Sequence, residues 1–262
     1  MSGEHDIRAV FFDVDGTLLS HKLNDVPQET REALRRLREK GIKTVIATGR
    51  HMQEYSKLPV SEIEFDGYLT LNGQLLLDGN RKVYAGTAID KGEMEVLEQI
   101  FRAKRIPFVL IGENDRYINY VNDTVVKTQA ETMGTIPQIG TYEGENVYQI
   151  LAFIPEHEKQ ILNDLLDECS ISSWAETGID IIPRGGGKAS GIQKYLDENG
   201  LDRSQIMAFG DGENDIEMLQ FAGIGVAMGN AGDTVKAAAD YVTDTVDEDG
   251  IGNALRHFGL ID

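Results

Sequence analysis

AVFFDVDGTLL occupies residues 9–19 of this 262-residue chain. Its apolar half, taken from Ile7 to Phe12, has the length and composition of a buried strand. At the end of that strand stand two carboxylates one residue apart, Asp13 and Asp15, followed by Gly16, Thr17 and two leucines. Side chains alternate in extended backbone, so Asp13 and Asp15 share one phase. Carboxylates that close repel each other unless a cation or a shared proton intervenes. Oxygen donors of this kind suit a hard divalent ion such as Mg2+. Gly16 lets the chain turn away there, and Thr17 can tie the turn down.

Outward from this stretch, strand and helix signals alternate. Pro27 is placed to open a helix in QETREALRRLREKG, with Ala33, Leu34 and Leu37 as its apolar stripe and Gly41 as its stop. IKTVIATGR reads as a second strand ending in a polar turn. Tyr68–Leu71 leads to Asn72–Gly73, and QLLLDGNRKVYAG reads as a hairpin around Asp78–Gly79–Asn80. Beyond residue 184 the alternation resumes. KASGIQKYLDENG is a helix stopped by Gly200, QIMAFGDGENDIEMLQFAG is strand, turn and helix, and IGVAMGNAGDTVKAAADYVT repeats that order. The expected fold is α/β, a doubly wound, mostly parallel, Rossmann-like sheet.

Between these two parts the pattern changes. PFVLIG and DRYINYV read as paired strands, VYQILAFIP as another, and ISSWAET and IDIIP as neighbours. AIDKGEMEVLEQIFRAKRI and EHEKQILNDLLDEC read as two long helices. Strand–strand–helix repeats suggest an antiparallel α+β layer. Residues 86–184 are therefore expected to be a domain inserted into a core made of 1–85 and 185–262.

The formal charge of −19 disfavours a phosphodiester backbone as partner. It leaves open a small phosphorylated substrate held at a local cation site. No apolar run is long enough to span a membrane, and MSGEHDIRAV lacks a signal-peptide pattern, so a cytoplasmic location is expected. GIGVAMG (223–229) has the wrong spacing for a dinucleotide fingerprint, and its glycines read as tight turns beside the sheet. Asn122–Asp123–Thr124 matches a glycosylation acceptor but has no meaning without export.

Ligands of doubly wound sheets bind at the carboxyl ends of the strands. Four polar turns fall there: DVDGT (13–17), TGR (48–50), NG (72–73) and GDGEND (210–215). Asp211 and Asp215 add two further acids, although either alone also reads as a helix cap. Thr48 and Gly49 offer a hydroxyl and backbone N–H groups to phosphate oxygens. Lys188 opens a helix, where the helix dipole disfavours a cation unless both face one anion; alone it also reads as a solvated surface lysine.

Taken in order, DVDGT, ATGR, the lysine of GGGKASG and GDGEND resemble the four motifs of the haloacid dehalogenase-like phosphatases. The tail GIGVAMGNAGDTVKAAADYVTDTVDEDGIGNAL is similar to that of the Cof-type subfamily, and the insert matches its α/β cap in position and size. The resemblance implies a Mg2+-dependent phosphatase of small phosphomonoesters such as sugar phosphates. It implies Asp13 as nucleophile, forming an aspartyl phosphate, and Asp15 as general acid and base. Mg2+ would be held by the Asp13 carboxylate, the Asp15 backbone carbonyl and Asp211, with Asp215 orienting metal-bound water. Thr48, Gly49, Lys188 and Asn214 would hold the phosphoryl group. Position alone suggests Glu176 and Arg184 as contributors from the insert. The alternatives are a phosphotransferase of the phosphohexomutase kind on the same core and a non-catalytic receiver-like module. The size of the insert and the presence of Asp15 weigh against the receiver.

Overall fold

The computed structural model describes residues 6–131 and 134–262; residues 1–5, where the leader reading begins, lie outside them. In chain order the strands are β1 (Ala9–Phe12), β2 (Lys43–Ala47), β3 (Gly67–Thr70), β4 (Leu75–Asp78), β5 (Val83–Gly86), β6 (Phe108–Ile111), β7 (Arg116–Ile118), β8 (Gln149–Ala152), β9 (Cys169–Ala175), β10 (Gly178–Pro183), β11 (Ile206–Gly210), β12 (Ile224–Ala227) and β13 (Tyr241–Val242). The helices are α1 (Gln28–Glu39), α2 (Met52–Tyr55), α3 (Lys91–Arg102), α4 (Asp123–Glu131), α5 (Lys159–Asn163), α6 (Lys188–Asn199), α7 (Ile216–Phe221), α8 (Asp233–Ala238) and α9 (Gly250–His257). They divide into two compact units, one ending at Ala85 and resuming at Gly187, the other spanning Gly86–Gly186.

The first unit holds an eight-stranded sheet in the order β13-β12-β11-β1-β2-β3-β4-β5. Its pairings from β13 through β3 are parallel, and β4 returns antiparallel to β3. β1 is central, and its four residues are fully buried, as expected of a strand covered on both faces. Phe11 meets Tyr195 edge-on with ring centroids 5.3 Å apart, while Phe12 stacks on Phe209 at 5.3 Å. The strand is thereby pinned from both sides, and Asp13, the next residue, is held in a fixed place.

Of the glycines of GIGVAMG, Gly223 lies in a bend and Gly229 in a turn closed by the Ala231 N–H on Met228 O (3.0 Å), beside the sheet as expected, and all three also allow close approach. Gly225 lies inside β12, where a Cβ would sit 2.1 Å from the Leu219 carbonyl oxygen of α7. Gly223 abuts the Arg203–Ser204 backbone and Gly229 the Asp244–Thr245 backbone in the same way.

The second unit is a five-stranded antiparallel sheet in the order β7-β6-β8-β10-β9. Phe108, Leu110, Ile150, Ala152, Ile179 and Ile181 of one face pack against Leu97 and Phe101 of α3 and Leu162 of α5. The second long helix expected in EHEKQILNDLLDEC is short. One 3-10 turn (Glu156–Glu158) and the five residues of α5 form it. The Glu93 carboxylate of α3 then accepts the N–H groups of Asp167 and Glu168 (3.0 and 2.8 Å), which draws the backbone out of helix. α4 was not expected, because its buried stripe includes the polar Thr128 and Gln129. Asn122 caps it, accepting the Val125 N–H at 3.0 Å, which is the structural use of the NDT triplet.

Candidate active site

The turn after β1 is built around one carbonyl. Val14 O accepts the N–H groups of Thr17, Leu18 and Leu19, and Gly16 takes φ +79°. A Cβ on Gly16 would lie 2.2 Å from Asp211 Oδ2, so glycine is required for backbone angle and for space. This close approach joins the two acidic turns. The Thr17 hydroxyl donates to Asp211 Oδ1 at 2.8 Å. Asn230 Nδ2 bridges Gly16 O (2.9 Å) and Asp211 Oδ2 (3.1 Å).

Lys188 is a buried ammonium, not a surface one. Its Nζ donates to Asp13 Oδ1 at 2.5 Å and to Asp215 Oδ1 at 2.6 Å, with no side-chain exposure. Burial opposes its charge, but Asp13 and Asp215 outweigh that and hold the ammonium above its ordinary range. Asp215 Oδ2 accepts the N–H groups of Asp211 (3.0 Å) and Gly212 (2.9 Å), so both its oxygens are engaged. Asp13 is raised well above the ordinary carboxylate range by burial; Lys188 opposes this, and the nearby acids add to it. Burial, with Asp215 and Asp15 adding to it, brings Asp211 to about 6 against the Thr17 hydrogen bond and Lys188.

A pair of glycines positions Lys188. A Cβ on Gly73 would lie 2.6 Å from Gly187 O, and one on Gly191 would lie 2.7 Å from Gly73 Cα. The start of α6 therefore rests directly on the turn after β3. That turn holds Leu71, Asn72 and Gly73 at φ +53°, +54° and +82°. Left-handed backbone at a leucine costs energy and persists only where its surroundings enforce it. Here Asn72 N–H donates to Thr48 O (3.0 Å), and Gly73 N–H donates to Thr70 O (3.0 Å).

The expected residues thus fall into one region of the first unit. Asp13, Lys188 and Asp215 touch, and Asp211 joins them. Asn214 Nδ2 donates to Asn72 Oδ1 at 3.2 Å, and Gly49 packs against the same Asn72 side chain. Thr48 is buried, and its hydroxyl accepts the Arg50 N–H at 3.2 Å. Asp15 is held by a partner to which the sequence pattern assigns no role. Arg50 Nε and Nη2 donate to its two carboxylate oxygens at 2.6 and 2.8 Å. Arg50 and Asn72 both stand inside turns singled out by strand-end position, TGR and NG; the spacing alone did not separate them from their neighbours. Glu176 and Arg184 are both exposed and lie beyond opposite ends of β10, so they do not form one group.

The acids fit a hard divalent cation. Asp13, Asp211 and Asp215 each present an oxygen within 4.8 Å of the others. Lys188 is the ammonium against all this negative charge, and the donor set is all oxygen. With Asp215 occupied by Lys188 and backbone, Asp13 and Asp211 are the carboxylates that would hold Mg2+.

This gives a pH dependence. A carboxylic acid whose folded value lies near 6 rather than 3.8 favours the folded state most below pH 3.8, and that contribution is lost as pH rises through about 6. Mg2+ held by Asp13 and Asp211 would need the deprotonated form and would offset this loss. The rise in melting temperature between EDTA and saturating Mg2+ is expected to be small at pH 5 and to grow up to pH 7.5. Calorimetry at matched ionic strength measures it; a pH-independent difference would contradict the assignment.

A family model described as haloacid dehalogenase-like hydrolase matches residues 10–255. The 5-amino-6-(5-phospho-D-ribitylamino)uracil phosphatase YcsE of Bacillus subtilis is 32% identical, covering 97% of this chain and 97% of its own. Among solved structures, the phosphatase BT1666 of Bacteroides thetaiotaomicron superposes with a TM-score of 0.88 at 34% identity, covering 99% of this chain and 97% of that one. The subclass IIB sugar phosphatase BT4131 gives 0.84 at 37%, covering 97% and 100%. With the motif residues gathered at the carboxyl ends of β1, β2 and β11, these likenesses have one meaning: the chain belongs to the haloacid dehalogenase-like hydrolases and is a phosphatase of their Cof-type branch.

Proposed function

We propose that this phosphatase is Mg2+-dependent and hydrolyses small phosphomonoesters of polyhydroxylated alcohols through an aspartyl phosphate on Asp13. The carrying observation is the buried Asp13–Lys188–Asp215 cluster with Asp211 beside it. A buried carboxylate attacks a phosphate dianion only where positive charge offsets their repulsion. Lys188 supplies one such charge, and Mg2+, when bound, would supply the rest. The named activities of YcsE and BT4131, on a ribityl phosphate and on sugar phosphates, support the substrate class.

In this reading an Asp13 carboxylate oxygen forms a bond to phosphorus as the bond to the alcohol oxygen breaks. Asp15 gives its proton to that oxygen. Water then forms a bond to phosphorus and gives a proton to Asp15 as the Asp13 O–P bond breaks, so inorganic phosphate leaves and the Asp13 carboxylate is restored. The fork of Arg50 engages both carboxylate oxygens of Asp15, so an arriving phosphate that draws Arg50 away would free that carboxyl for proton transfer. Thr48, Gly49 and Asn214, the last oriented by Asn72, would hold the phosphoryl oxygens. The inserted unit would select the alcohol.

The test is hydrolysis of propyl and p-nitrophenyl phosphates by the full chain, in Mg2+ and in EDTA. Wild type is expected to turn over both in Mg2+ and neither in EDTA. Asp15→Ala is expected to lose roughly 10²–10⁴-fold on the alkyl ester, the usual range for general acid catalysis, and less on the aryl ester, whose leaving group needs no proton. Equal losses would remove Asp15 from that role. Phospho-enzyme that decays only when sugar is added would favour the phosphotransferase.

A further inference from the structure

A fifth strand-end turn stands beside the acids of the first unit. β12 runs parallel to β11 with Ala227 paired to Gly210, so the two strands end level. Met228 N–H donates to Gly210 O (3.0 Å), which sets the turn after β12 against the turn that carries Asp211. The residues of that turn are Met228, Gly229, Asn230 and Ala231, and its one polar side chain is an uncharged asparagine.

Asn230 is exposed, yet both ends of its amide are committed to protein. Nδ2 donates to Gly16 O and to Asp211 Oδ2, and Oδ1 accepts the Val246 N–H at 3.0 Å. The amide can stand only this way round. Turned over, its oxygen would face a carbonyl and a carboxylate, and its NH2 would face an N–H. One side chain therefore joins the turns after β1 and β11 to the segment after β13.

The contact with Asp211 has a specific consequence. Thr17 holds Asp211 Oδ1, Asn230 holds Oδ2, and Gly16 closes the space beside Oδ2. Each donor takes one lone pair of its oxygen and leaves another. Both donors are neutral, so they orient the carboxylate without cancelling its charge. Asp13 and Asp215 differ, because each faces the Lys188 ammonium. A tie between the turn after β1 and the segment after β13 would need only the Gly16 and Val246 contacts. The Ser20 hydroxyl, donating to Asp247 Oδ1 at 2.5 Å, already supplies a second such tie. The bond to Asp211 is what a purely structural tie leaves unexplained.

We propose that Asn230 is a positioning residue for the divalent cation, holding Asp211 in the orientation in which that carboxylate would bind Mg2+. This rests on the Mg2+ dependence proposed above. Asn230 acts through Asp211: it fixes the side chain before an ion arrives, so that binding need not order it.

The experiment measures Mn2+ binding to the full chain by electron paramagnetic resonance, with Mg2+ as competitor and no substrate present. For Asn230→Ala the dissociation constants of both ions are expected to rise about 10–100-fold, the usual cost of losing a hydrogen bond to a metal-binding side chain. Circular dichroism checks that the variant is folded. If it is not, Asn230→Ser, whose hydroxyl is too short to span Gly16 O and Asp211, is expected to raise the constants likewise. Ser20→Ala is the control: it removes the other tie to the segment after β13 without touching Asp211. It is expected to lower the melting temperature and leave both constants unchanged. In hydrolysis of propyl phosphate, the rate lost in Asn230→Ala should be recovered by raising Mg2+. Unchanged constants in the Asn230 variant, or an equal rise in Ser20→Ala, overturn the inference alone. A wild type that binds neither ion refutes the Mg2+ dependence, and the inference falls with it.

Discussion

Asp13→Asn is expected to abolish turnover, by roughly 10⁴–10⁶-fold, the loss seen when a nucleophile is removed from a group that works as a unit. The substitution keeps the shape of the side chain, and the asparagine Oδ1 can still accept from Lys188. It removes a negative charge whose burial already drives Asp13 toward protonation. The metal-free variant is therefore expected to melt no lower than wild type, so lost activity cannot be assigned to unfolding. Acid quenching during turnover of a radiolabelled phosphate ester should leave a hydroxylamine-sensitive label on wild type and none on Asp13→Asn. Retained turnover or a retained label would place the nucleophile elsewhere.

Lys188→Met should lose activity and, unlike Asp13→Asn, stability as well. The ammonium lies between two buried carboxylates at 2.5 and 2.6 Å. Removing one partner of a buried ion pair costs about 3–5 kcal/mol, because the charges left behind are uncompensated. Those remaining acids set the sign with pH. Without Lys188, which opposes the rise of Asp13, that acid holds its proton to still higher pH. The metal-free variant is thus expected to melt nearest to wild type at pH 5 and furthest below it at pH 8. Saturating Mg2+ should recover part of the deficit at pH 8 without restoring turnover. Circular dichroism melts across that range measure it; a variant that melts with wild type at pH 8 would show that the ammonium does not hold the acids together.

What was legible in the sequence was whatever depends on near neighbours along the chain. The apolar run before Asp13, the β-branched run before Thr48 and the Gly200 helix stop are local patterns, and each became the element its pattern implies. Strand-end position then indicated which turns to compare, since a parallel sheet brings successive strand ends to one edge. The same local reading failed where a distant group intervened. Where the helix after Glu156 was expected to continue, Glu93, over 70 positions earlier, takes the N–H groups of Asp167 and Glu168. α4 escaped notice because its buried face is partly polar and so has little apolar periodicity.

The sequence by itself determined the alternation of strands and helices and the polar turns at the strand ends, because these depend on periodicity and on residue types a few positions apart. Only the tertiary structure decided which meaning each polar residue has. Lys188 by itself read as a solvated lysine until folding set it against Asp13, 175 positions away. Arg50 was one residue of a turn until its fork met Asp15, and Asn72 was half of a turn dipeptide until it oriented Asn214. A charge acquires its role from the dielectric and the partners around it, and both exist only once the strands have brought distant turns together.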